Sequence, residues 1–85
     1  MPKARKSVFE TPYIEIVESL VARRHELGMT QAELATSYGE DQSFISRVER
    51  RQRRIDVYEY LRLCRSLQIH PSVILDPIYE RETDG

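Results

Sequence analysis

The chain has 85 residues, 40% of them apolar and 32% charged, with a formal net charge of −1. That length suits one domain with a modest core, and the apolar share is too high for a disordered chain. The single cysteine, Cys64, excludes an internal disulfide and fits a reducing compartment, and no run is apolar for long enough to cross a bilayer.

Residues 1–10 read as a flexible basic arm that carries Lys3, Arg5 and Lys6 without helical periodicity. No apolar signal core follows them, so the protein is expected to be cytoplasmic. Thr11-Pro12 reads as a helix start, since threonine caps and proline suits the first helical position, where its missing N–H costs nothing. Ile14, Val17, Leu20, Val21 and Leu27 then recur at helical spacing, and Gly28 is a suitable stop. Thr30 and Glu33 form a capping-box pattern at the head of a second helix, with Leu34, Ala35 and Tyr38 inward and Gly39 at its end.

Asp41 can cap a third helix from about Gln42 to Arg50, with Ile45 and Val48 inward. Asp56, with Glu59 three residues on, opens a fourth, whose apolar positions are Val57, Tyr60, Leu61, Cys64 and Leu67. His70-Pro71 opens a short last helix through Leu75, and Pro77 is expected to stop it. Residues 77–85 read as an acidic tail with Glu80, Glu82 and Asp84. No window alternates with period two. The expected fold is therefore all-α: a compact five-helix domain over residues 11–76, with a helix-turn-helix at its centre over about residues 30–50.

The central unit carries the function. Its two helices are too short to be stable alone, so they must pack on each other and on their neighbours. With Ile45 and Val48 beneath, Gln42, Ser43, Ser46 and Arg47 are left on the outer face of the third helix. Gln matches adenine bidentately, Arg matches guanine, and Ser serves either base; the helix N-terminus also favours nearby phosphate. Arg47, Arg50, Arg51, Arg53 and Arg54 fall within eight residues, opposed there only by Glu49, so a chain near neutrality can still present one basic face.

Four separated stretches, ARRHELGMTQAELA, Gly39, QSFISRVER and YLRLCRSLQIHPSVIL, together resemble the Cro and phage-repressor type of helix-turn-helix domain, the Xre-like family, from about Ile16 to Leu75. The resemblance implies a lambda-repressor-like fold and binding to double-stranded DNA as a homodimer on two half-sites. It assigns base contacts to Gln42, Ser43 and Arg47, and a backbone phosphate contact to Gln31. Asp41 becomes a helix cap near the DNA, and Arg24 with Glu49 a structural ion pair between the first and third helices. It also sets Arg50 and Arg54 near the backbone in the loop after the recognition helix, and Arg53 is a further candidate there. Arg51 and Gln68 occupy positions where the family often has glycine. An arginine at positive φ is strained, so either the third helix runs longer here or the loop differs.

The remaining residue types point elsewhere than catalysis. His25 and His70 lie far apart, and Cys64 sits on a core face without ligand spacing, so no metal, cofactor or catalytic residue is expected. Tyr58, Ile78 and Tyr79 fit either the core or a dimer interface. Within the same chemistry the alternatives are an antitoxin, which would also bind a partner protein, and the controller protein of a restriction–modification system. A protein-interaction module without DNA binding is a third.

Overall fold

The computed structural model describes residues 2–82, with side chains described from Pro12 to Arg81. Five helices follow one another: α1 (Pro2–Glu26), α2 (Gln31–Tyr38), α3 (Gln42–Glu49), α4 (Val57–Ser66) and α5 (Pro71–Glu82). There is no strand among the described residues.

The helix heads follow local chemistry. Thr30 and Glu33 exchange bonds as a full capping box at α2, and Asp56 and Glu59 do the same at α4, so each pair satisfies two backbone donors that the first turn leaves open. Asp41 caps α3 by accepting from the Phe44 N–H at 3.0 Å. His70 caps α5, where its Nδ1 accepts from the Ser72 N–H at 3.2 Å.

Two helix boundaries differ from the sequence expectation. α1 begins at Pro2 rather than at Thr11-Pro12, and Pro12 lies inside it. The upstream stretch KARKSVFE is rich in helix formers, and an internal proline removes one hydrogen bond without ending a helix whose flanking turns continue. The side chains of residues 1–11, with Lys3, Arg5 and Lys6 among them, lie outside the described residues. Likewise Pro77 does not stop α5, which continues to Glu82. Beyond the proline, Ile78 packs on the core and Arg81 pairs with Glu15 of α1, so tertiary contacts carry the helix past its local break. Residues 83–85, with Asp84, lie outside the described residues.

The core joins all five helices. Val17 and Leu20 of α1, Leu34, Ala35 and Tyr38 of α2, Ile45 and Val48 of α3, Tyr60, Leu63 and Cys64 of α4, Leu67 and Ile74 are all buried. The periodicity reading assigned most of these but missed Leu63, Ile74 and Phe44, the last buried and stacked on Tyr38 with ring centroids 5.3 Å apart. Val57 and Leu61 depart from it in the other direction, at 77% and 45% exposure.

Arginines fasten the helix ends. Arg23 of α1 donates to the carbonyls of Leu67 and Gln68, both at 3.0 Å, closing the end of α4. Arg62 donates to the Tyr38 carbonyl at 2.6 Å and lies 4.1 Å over the Tyr38 ring, closing the end of α2. Each satisfies carbonyls that a helix terminus leaves without a partner.

Candidate nucleic-acid interface

α2, a tight turn and α3 form the helix-turn-helix. Gly39 turns the chain at φ +97°, and its N–H bonds the Ala35 carbonyl. An added side chain would meet backbone strain there, which is why glycine stands at this position. Leu34, Ala35 and Tyr38 face Phe44, Ile45 and Val48 across the pair, all of them buried. This packing turns the opposite side of α3 outward, and Gln42, Ser43 and Arg47 are exposed. Ser46, expected on the outer face, is half-buried.

Polar bonds order the head of this face. The Ser43 hydroxyl donates to Asp41 Oδ1 at 2.7 Å, so its oxygen lone pairs remain available as acceptors. That bond, reinforced by the Phe44 N–H, holds the Asp41 carboxyl below the usual carboxylate range. Gln42 Nε2 donates to Gln31 Oε1 at 3.4 Å, which brings together two residues eleven apart in the chain. Gln31 Nε2 in turn donates to Glu49 Oε1 at 2.8 Å.

Glu49 is held by Arg24. The guanidinium donates through Nε to Oε2 at 2.7 Å and through Nη2 to Oε1 at 2.9 Å, and its Nη1 donates to the Met29 carbonyl at 2.9 Å. Arg24 is the one buried charged residue among the described side chains. A fork-to-fork pair with every guanidinium nitrogen bonded is the geometry that lets such a charge leave water. The pair joins Arg24 of α1 to Glu49 of α3.

The arginine-rich loop divides into two sets. Arg53 is half-buried and tied to its neighbours: it makes a bidentate bond to Glu59 at 3.0 and 2.9 Å, donates to the Arg54 carbonyl, and lies 4.7 Å over the Phe44 ring. Arg47, Arg50, Arg51 and Arg54 are exposed and carry no ion pair among the described residues. Arg54 lies 4.5 Å over the Tyr13 ring, and Arg51 and Arg54 flank a cleft of about 220 Å³ with Tyr13 and Ile14. α3 ends at Glu49, and Arg51 takes the left-handed conformation at φ +62°. Gln68 does the same before α5, at φ +56°. The helix does not run on past Arg51: the backbone keeps the turn that glycine would serve and carries the strain of a side chain in it.

What Arg53 and Arg62 do was not legible in the sequence, because both bond groups that only the fold brings near. For Arg53 the signal was indirect, the Glu59 carboxylate of a recognisable capping box six residues on.

No described helix is long and apolar enough to cross a membrane, and no group of three or more His, Cys, Asp and Glu among the described residues is placed to hold a metal ion.

Comparison with known proteins finds the same fold. A helix-turn-helix family model matches residues 20–74. An XRE-family like protein from Pseudomonas syringae pv. tomato str. DC3000 is 33% identical, with a TM-score of 0.84 over 92% of this chain and 95% of that one. The restriction-modification controller protein C.AhdI from Aeromonas hydrophila is 31% identical, with a TM-score of 0.67 over 73% of this chain and 94% of that one. The controller protein C.Esp1396I shares the fold at 22% identity, with a TM-score of 0.73 over 87% of this chain and 96% of that one. No curated protein matches the chain.

Proposed function

Because the chain belongs to the XRE family of helix-turn-helix DNA-binding proteins, we propose that it is a transcriptional regulator, a repressor, that reads a pseudo-palindromic operator as a homodimer. The observation that carries this reading is the outward Gln42, Ser43 and Arg47 face of α3, braced from beneath by Phe44, Ile45 and Val48. In this reading α3 enters the major groove, Gln42, Ser43 and Arg47 meet base edges, and Asp41 caps the helix close to the DNA. Gln31 keeps one amide N–H beyond its bond to Glu49 for a phosphate oxygen. Arg50 and Arg54 contact the backbone from the loop, and Arg51 joins them as an exposed cation. Arg53 braces that loop through Glu59 and the Arg54 carbonyl, and keeps its Nε–H and one Nη2–H for a backbone phosphate.

Two subunits join through the C-terminal helices. The support is an apolar surface left open in the monomer: Val57 and Leu61 of α4 and Leu75 of α5 are exposed, and Val57 and Leu75 share an apolar cleft of about 200 Å³ with Tyr13, Ile16 and Ile55. A second copy of the chain would cover these exposed apolar side chains. Dimerisation there sets two recognition helices about 34 Å apart, one turn of the duplex.

Selection of bound duplexes from a random library tests the proposal. The expected product is a two-half-site motif, bound with an affinity that falls steeply with salt as phosphate counterions are released. Recovery of no motif, or a flat salt titration, would refute it.

A second reading is a restriction–modification controller, favoured by the likeness to C.AhdI. It predicts restriction and modification enzyme genes beside the gene for this chain.

A further inference from the structure

The ion pair inside the fold and the base-reading surface are joined by a continuous line of hydrogen bonds, Arg24 to Glu49 to Gln31 to Gln42. Resting on the reading of Gln42 as a base contact, we infer that Glu49 is a positioning residue for sequence recognition: it fixes the direction in which the Gln42 carboxamide presents its donor and acceptor.

The chemistry of each link dictates the next. An ionised carboxylate can only accept hydrogen bonds. Gln31 must therefore turn its nitrogen toward Glu49, and it does so at 2.8 Å. Its oxygen is then left facing Gln42, which must answer with nitrogen, as it does at 3.4 Å. Gln42 keeps its oxygen and its second N–H for a partner outside the protein, with the donor on the Gln31 side and the acceptor away from it. A free glutamine presents the same two groups in either order. Here the order is set by a carboxylate two bonds away, and adenine, with a neighbouring acceptor and donor on its major-groove edge, takes only one order in a given register.

Arg24 is what makes Glu49 a fixed reference. The guanidinium bonds both carboxylate oxygens, so the carboxylate neither rotates nor swings out to solvent. Oε1 accepts from Arg24 and Gln31 together, which leaves the amide little freedom. Sequence reading gave Arg24 and Glu49 a mainly structural role; the line of bonds gives Glu49 a second one.

Glu49→Gln tests this. The substitution keeps size and still accepts from Arg24, but it adds a donor, so Gln31 and Gln42 can both reverse. The measurement is the ratio of Kd values for the selected duplex and for two singly substituted duplexes, with folding checked by circular dichroism at the same temperature. One duplex is altered at the base pair that Gln42→Ala identifies, the other at the base pair that Arg47→Ala identifies. Discrimination at the first is expected to fall at least fivefold, and at the second to stay within twofold. Gln31→Met leaves the ion pair intact and should reproduce this pattern without lowering the melting temperature; its lost phosphate contact weakens all duplexes alike and cancels in the ratio. If Glu49→Gln destabilises the fold but changes neither ratio, or lowers both equally, Glu49 is only structural and the inference is overturned. Should Glu49→Gln fail to fold, Gln31→Met decides, because unchanged discrimination there removes the link. If Gln42→Ala itself alters no ratio, the base-contact reading of that residue fails first, and the relay with it.

Discussion

At the residue scale, arginines with the same charge do different work according to the group each meets. Arg24 is buried and spends its charge on Glu49; Arg23 and Arg62 close helix ends; Arg47, Arg50, Arg51 and Arg54 stay in solvent. Arg53 is the case where solution behaviour follows from geometry. Its bidentate bond, aided by the Asp56 N–H, holds the Glu59 carboxyl below its ordinary value of 4.5. With the folded value depressed, the unfolded chain binds more protons in acid. The stabilisation is therefore complete above the ordinary carboxyl range and is lost as pH falls through the lowered folded value. Arg53→Gln removes the largest cause of the depression, so stability should fall less steeply with pH on the acid side of 4.5. Urea denaturation at a series of pH values measures this; an unchanged acid slope would show that the Arg53–Glu59 bond contributes nothing there.

At the element scale, short helices are held by their ends. α2 and α3 have eight residues each, below the length at which an isolated helix is stable, so caps and packing must supply the difference. Thr30, Asp41 and Asp56 supply the caps. The turn after α3 is the weak point, because Arg51 holds a left-handed conformation. That conformation costs a side-chain-bearing residue roughly 1–2 kcal/mol, and glycine's greater freedom when unfolded returns part of it. The Arg51 side chain is exposed, so no core packing is lost with it. Arg51→Gly should stabilise the domain by about 0.5–1 kcal/mol, a rise of a few degrees in Tm. It should also weaken all duplexes together if Arg51 faces phosphate. A lower Tm would mean that the arginine makes a compensating contact.

At the scale of the whole molecule, the surface is uneven in two ways. One side carries α3 with the exposed arginines of the following loop. Elsewhere α4 and α5 leave Val57, Leu61 and Leu75 in solvent, with Val57 and Leu75 beside Tyr13, Ile16 and Ile55. Tyr58 and Tyr79, which fit either core or interface, are exposed at 68% and 69%, whereas Ile78 packs on the core. Burial of the α4–α5 face in a homodimer predicts that Leu61→Glu yields a folded monomer that retains weak, salt-sensitive binding to a single half-site. Sedimentation equilibrium with a one- and two-half-site binding assay measures both. A Leu61→Glu protein that remains dimeric would move the subunit contact to another surface.

Local chemistry in the sequence was enough for the number of helices, the heads of α2, α3 and α4, the Gly39 turn and the outward position of Gln42, Ser43 and Arg47. Each of these rests on neighbours within about one helical turn, where periodicity and capping act. The family pattern added the Arg24–Glu49 pair. Pro12 and Pro77 misled the boundary reading, because a local breaker yields when the flanking turns or the packing of Ile78 and Arg81 carry the helix on. The partners of Arg53 and Arg62, the burial of Phe44 and the bond from Glu49 to Gln31 were decided by tertiary structure alone. Those contacts join residues on different elements, and a side chain's hydrogen-bond partner depends on where the other element is packed, which no local pattern encodes.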